Sequence, residues 1–149
     1  MMSQLTYMDK CINESMRLYP LAAKVDRICL SERQYGNLKI PEGMSVGIPI
    51  RYFHHNPELW PEPEKFDPER FSAEAKAKRD PLSFMPFGQG PRMCIGNRFA
   101  LLTLKVALAY IVKNFRILKC EKTEIPIKIR KDSLMLTPEN GIWLRIERR

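Results

Sequence analysis

Leu5, Met8, Ile12 and Met16 recur at the three- and four-residue spacing of a single helical face, and Pro20 ends the pattern. An amphipathic helix is expected over residues 4–18, with Glu14 and Arg17 off its apolar stripe. Three β-type runs follow, "KVDRICL", "QYGNLKI" and "SVGIPIR", the last two joined through the turn-like "PEGM". They predict a small, mostly antiparallel sheet. Seven prolines then fall between Asn56 and Pro91, at positions 57, 61, 63, 68, 81, 86 and 91. Long regular elements do not survive such a density. Leu59, Trp60, Phe66, Phe71, Phe84, Met85 and Phe87 give this stretch apolar anchors, so it reads as an ordered, docked meander. From Cys94 to Lys113 the chain is apolar on most faces, the pattern of a helix made for burial in something larger than this chain. Beyond it "IPIKIR" and "LMLTPENGIWLRI" read as strands, the second turning back at "PENG".

No repeat, low-complexity stretch or linker divides residues 1–149, a length that suits one hydrophobic core. No run approaches the roughly 18–20 uninterrupted apolar residues of a membrane span, and "MMSQLTYMDK" lacks the basic-then-apolar order of a signal peptide. No anchor or targeting segment is expected within this chain. The net charge of +8 favours an acidic partner, with simple solvated charge as the alternative. The excess is densest at Lys113, Arg116, Lys119, Lys122, Lys128, Arg130 and Lys131, where few aromatic side chains interleave. That favours a protein partner over nucleic acid. The cysteines, at positions 11, 29, 94 and 120, form no closely spaced pair, which argues against a structural zinc site. A disulfide framework is not expected either.

Cys94 alone has unusual surroundings, "FGQGPRMCIG" from Phe87 to Gly96. Placed at the first turn of the apolar helix, its thiol would feel the positive end of the helix dipole, which favours thiolate. Gly88, Gly90 and Gly96 allow tight turning and close approach of a flat object, Pro91 stiffens the loop, and Arg92 offers a cationic fork to a carboxylate. A nucleophilic cysteine would want a histidine base. The chain's two histidines, His54 and His55, stand just before Asn56 and Pro57 and read as turn or surface residues. Two readings stay open on these residues alone: a tight structural turn before a core helix, or a single thiolate holding a metal whose other ligands are not protein, as in haem.

This segment resembles the cytochrome P-450 superfamily of haem-thiolate monooxygenases, whose signature F-x-x-G-x-R-x-C-x-G is met by Phe87, Gly90, Arg92, Cys94 and Gly96. Two further motifs of that family occur in order, E-x-x-R at Glu14 to Arg17 and "PERF" at Pro68 to Phe71. The wording "NESMRLYP", "FGQGPRMCIGNRFAL" and "NFRI" is similar to the animal microsomal clan that oxidises steroids and foreign compounds. The resemblance implies a mainly α fold with a small antiparallel β part, present here as an incomplete, carboxy-terminal portion forming a single partial domain over residues 1–149. It implies haem b (iron protoporphyrin IX), with Cys94 as axial iron ligand and catalytic residue. Phe87, Gly88, Gly90, Arg92 and Gly96 would hold the cofactor, and Arg27 would be a second propionate-binding arginine.

The resemblance further implies that Glu14, Arg17 and Arg70 form a buried charge triad. On pattern alone Glu14 and Arg17 would be an exposed helical pair worth only about 0.2–0.5 kcal/mol. Leu21 to Lys24 and Ser133 to Leu136 would line the substrate pocket, against a reading as ordinary core and hairpin residues. The implied activity inserts one oxygen atom of O2 into a small lipophilic substrate. The implied partners are an NADPH-dependent flavoprotein reductase and a cytochrome b-type donor, docking on a basic face, with no nucleic acid. The complete protein would sit on the cytoplasmic face of the endoplasmic reticulum membrane, held by an amino-terminal part missing here. A family member that rearranges peroxides would share the same cysteine loop. The reading from another class is a basic interaction module that binds no haem and hides its apolar helix by association.

Overall fold

The computed structural model describes residues 5–133 and 135–149. In chain order the elements are α1 (Thr6–Leu18), β1 (Val25–Ile28), β2 (Arg33–Tyr35), β3 (Leu38–Ile40), β4 (Ser45–Ile48), α2 (Ile50–His55), α3 (Ala73–Lys78), α4 (Asn97–Asn114), β5 (Phe115–Leu118) and β6 (Arg145–Arg148). Short 3-10 turns at Pro68–Phe71, Pro81–Ser83 and Gly90–Arg92 punctuate the proline-rich stretch. Helices with short antiparallel strands match the expected class.

The β part departs from the expected sheet. "QYGNLKI" is mostly a hairpin in itself, with Tyr35 opposite Leu38. Gly36, at φ +56°, supplies the left-handed conformation that the first central position of a two-residue turn takes. The "PEGM" turn does not pair β3 with β4. It lengthens the pairing of β1 with β4, through Cys29 N–H to Met44 O and Gly43 N–H to Cys29 O. The ladder stops at Pro49, which has no N–H to give, and the chain winds into α2 where an extended run to Arg51 was expected. Among the described residues "IPIKIR" keeps only a bridge from Ile129 to Pro138, and no "PENG" hairpin is found. Instead β6 pairs with β5, a strand the pattern did not predict, from Phe115 opposite Arg148 to Leu118 opposite Arg145.

The core lies in the first two thirds of the chain. Ile12 and Leu18 of α1 and Ile50 of α2 are buried with Trp60, Phe71 and Met85 of the meander. Trp60, Phe71 and Phe84 form an aromatic cluster with ring centroids 5.8 Å and 4.7 Å apart along that series. The Arg79 guanidinium lies 4.3 Å from the Trp60 ring and 4.7 Å from the Phe71 ring, and Arg17 approaches Trp60 to 5.2 Å. The meander is therefore docked as expected, although Phe66 stays exposed.

Helix α4 is the opposite case. None of its 18 residues is buried. Phe99, Leu102, Leu104, Val106, Tyr110 and Val112 are all exposed, so the face made for burial is uncovered in this chain. Farther on, Trp143 is half exposed beneath Lys122, whose Nζ stands 4.9 Å from its ring.

Candidate functional site

The cysteine turn is closed by a bond from Cys94 N–H to Phe87 O of 2.9 Å. Within it, Gly88 N–H bonds Met85 O at 3.0 Å and Met93 N–H bonds Gly90 O at 3.0 Å. Gly88 and Gly90 have φ of +73° and +78°, a conformation that costs a residue with a Cβ about 1 kcal/mol or more. Cys94 is an exposed free thiol. It is not in the first helical turn, as expected, because α4 begins at Asn97 with Gly96 as its N-cap. The 3-10 turn at Gly90–Arg92 delays the helix, and the Cys94 carbonyl receives only Asn97 N–H at 3.4 Å. The thiol thus stands just outside the turn where the dipole acts most strongly.

Arg27 comes to this turn from β1. Its Nη2 lies 3.8 Å from where a Cβ on Gly88 would stand, and its Nη1 donates to Asp26 O at 3.0 Å. Neither Arg27 nor Arg92 is in an ion pair among the described residues. Two cations without an ion pair thus stand on or beside the turn that carries the exposed thiol, Arg92 within it and the Arg27 guanidinium near Gly88, and Gly90 has nothing within 4 Å of its missing Cβ. These are the donors and the open space that a flat dianionic cofactor with a thiol-seeking metal needs. Among the described residues no group of three or more His, Cys, Asp or Glu side chains gathers to hold a metal with protein ligands alone.

A second cluster is built on α1. Glu14 and Arg17 are fully buried, so the exposed-pair reading of their spacing does not apply. Arg17 Nε donates to Glu14 Oε2 at 2.7 Å and Nη2 to Oε1 at 2.9 Å. Arg17 also donates to the carbonyls of His54 at 2.8 Å and Pro63 at 2.7 Å. Glu14 Oε1 accepts from Asp67 N–H at 2.9 Å, with Arg70 Nε 3.5 Å away. Arg70 is fixed in turn by its bond to Glu62 O at 3.0 Å. Such a pair withstands burial because nearly every polar atom has a partner. The cluster ties α1 to the meander and does not touch Cys94.

The histidines are not turn or surface residues. His54 is fully buried, and its Nε2 accepts the Met85 N–H at 2.9 Å. Burial pushes its pKa down to about 4, and the Arg17 charge presses it the same way. His55 lies 3.0 Å from Leu18 O and 3.0 Å from Glu64 Oε1. Neither ring reaches Cys94. Sequence reasoning missed His54, yet a signal existed: it stands four residues after Ile50, and both face the core from α2. It also missed Arg79, and no spacing marks that residue.

The two segments expected to line a substrate pocket lie side by side. Leu136 N–H bonds Leu21 O at 3.0 Å, and Ala22 bridges Met135. Leu134 lies outside the described residues. Leu21 and Met135 are both more than half exposed. The basic residues from Lys113 to Lys131 are all exposed, with Lys128 and Arg130 partly neutralised by Glu124 and Asp132.

The family model of cytochrome P450 matches residues 1–145. The chain belongs to the cytochrome P450 family. Cytochrome P450 3A18 of Rattus norvegicus is 47% identical to it over 143 residues, 96% of this chain and 29% of that protein. Cytochrome P450 3A7 of Homo sapiens is 46% identical over 146 residues, 98% of this chain and 29% of that one. Cytochrome P450 3A31 of Mesocricetus auratus is 43% identical over 143 residues. The chain spans under a third of the length of these relatives. Cytochrome P450 membership implies a haem cofactor and, for the family, monooxygenase chemistry. Among the described residues no helix is long and apolar enough to cross a membrane.

Proposed function

We propose that this chain is the haem-binding, carboxy-terminal part of a monooxygenase that inserts one oxygen atom of O2 into a lipophilic steroid-type or xenobiotic-type substrate, and that it is inactive alone. The observation that supports this reading is the exposed Cys94 on a turn whose Gly88 has the unpaired Arg27 guanidinium beside it. Cys94 would supply the thiolate that holds the iron, and Arg27 and Arg92 would hold the two propionates. Phe87, Gly88, Gly90 and Gly96 would let the backbone approach the ring. Bound haem supplies the activation of dioxygen. The residues of this chain would orient it, neutralise its carboxylates and supply a donor sulfur.

Glu14, Arg17 and Arg70 act as the charge triad that locks α1 to the meander, so the turn is carried on a rigid base. Leu21 to Lys24 and the described residues of Ser133 to Leu136 form part of the substrate wall. The exposed lysines and arginines suit an acidic NADPH-dependent flavoprotein reductase or a cytochrome b-type donor, docking by charge and weakened by salt. The complete protein works on the cytoplasmic face of the endoplasmic reticulum membrane.

The test is the carbon monoxide difference spectrum of the reduced, haem-supplied protein beside Cys94→Ser. A strongly red-shifted Soret band that disappears in Cys94→Ser is the expected result. Unchanged ligation in that variant would remove Cys94 from its role. The uncovered face of α4 favours a second reading, an association module without haem. That reading expects no haem uptake and a concentration-dependent assembly in sedimentation.

A further inference from the structure

The turn that carries Cys94 is held at its entry by a side chain to which nothing above gives a role. His54 lies in the last turn of α2, its ring fully buried and stacked on Phe84 at a centroid distance of 5.2 Å. Its Nε2 lies 2.9 Å from the buried amide nitrogen of Met85. An amide N–H can only donate, so Nε2 carries the lone pair and the ring proton sits on Nδ1. From Met85 the bonding runs into the turn, through Gly88 N–H to Met85 O and then Cys94 N–H to Phe87 O. On the other side, the His54 carbonyl accepts from Arg17 Nη1 at 2.8 Å. One residue therefore joins the charge cluster to the cysteine turn, by its carbonyl on one side and its ring on the other.

We infer that His54 is a positioning residue, which as the neutral, Nδ1-protonated tautomer sets the placement of the turn from Met85 to Cys94 by accepting the Met85 hydrogen bond. Its consequence for iron ligation rests on the reading of that turn given above, whereas the bond stands by itself. A protonated ring would set one N–H against another and leave the buried amide without an acceptor. The surroundings disfavour that form. Burial is the main cause, with the Arg17 guanidinium from α1 and His55 from the same helix acting alongside it, against backbone groups of Arg17 and Met16. From the meander the ring is faced by Phe84 and Met85, which do not titrate.

Two variants separate hydrogen bonding from packing. His54→Gln keeps an acceptor at the end of the side chain, and His54→Leu keeps apolar bulk without one. Amide hydrogen exchange of the haem-free 149-residue chain reads both. The Met85 amide is expected to exchange about tenfold faster or more in His54→Leu, and within about threefold of the unsubstituted chain in His54→Gln. Protection kept in His54→Leu overturns the inference, because the ring would then be filler.

If both variants lose protection, at the turn or throughout, the nitrogen-15 spectrum of the unsubstituted chain decides. A neutral, Nδ1-protonated His54 down to about pH 5 upholds the inference, and a ring that titrates near its ordinary value overturns it. Loss of the Cys94→Ser contrast in haem binding would strike the iron reading and leave this exchange pattern as it is.

Discussion

Helices α1 and α4 make an instructive pair. The shorter one, α1, buries Ile12, Glu14, Arg17 and Leu18, two of them charged, while the longer and more apolar α4 buries nothing. Hydrophobic content therefore does not decide burial within this chain. What decides it is whether an opposing surface is present: α1 meets α2 and the meander, and its charges find partners there. Helix α4 touches little besides α1 and β5, in a chain that spans under a third of its relatives' length. The difference teaches that a charged pair whose polar atoms find partners is better placed than a leucine left facing water.

The largest expected effect breaks the packed half. Glu14→Ala leaves the Arg17 charge buried without its carboxylate and is expected to cost about 3–5 kcal/mol in urea unfolding. A loss under about 1 kcal/mol would mean that the cluster is not buried as described. Next comes pH. His54 binds a proton near pH 6.5 when unfolded and only near about 4 when folded, so the unfolded state takes up more protons between those values. Stability is thus full above about pH 6.5 and declines as pH falls toward 4, by at most about 3 kcal/mol from this group. Unfolding midpoints across that window, compared with His54→Gln, read the slope, which should flatten in the variant.

A smaller effect is expected from Arg79→Ala, which removes a cation stacked on two rings and should cost about 1 kcal/mol, measured the same way. The smallest belongs to the open half. Phe99→Asn on α4 should change stability by no more than about 0.5 kcal/mol, because the ring is already in water. It should still reduce self-association in sedimentation velocity, and an unchanged assembly state would show that this face is not what drives association.

Much of this contrast was legible beforehand. The i, i+4 stripe located α1, and the aromatic anchors showed that the proline-rich stretch is docked. The apolar run pointed to a long helix, which forms as α4. The strands were harder, because β-pairing is non-local: "FRIL" is no better a strand than "IPIKIR" until β6 is seen to lie beside it. Helix α2 was hidden because β-branched Val46, Ile48 and Ile50 read as extended, and only Pro49 marks the break. At the site, the glycines and Arg92 were visible as a motif. The nearness of Arg27 to Gly88 and the bond from the Met85 N–H to the His54 ring depend on chain segments dozens of residues apart, which spacing does not report.

The contrast also has an optical side. The chain has two tryptophans, Trp60 at 1% exposure near two guanidinium groups and Trp143 at 53% exposure near a lysine. Fluorescence should therefore resolve into a blue-shifted emitter that dissolved iodide does not reach and a red-shifted one that it quenches. Each part of the molecule carries its own built-in lamp, so loosening of the core and events near the carboxy terminus can be followed separately without a label.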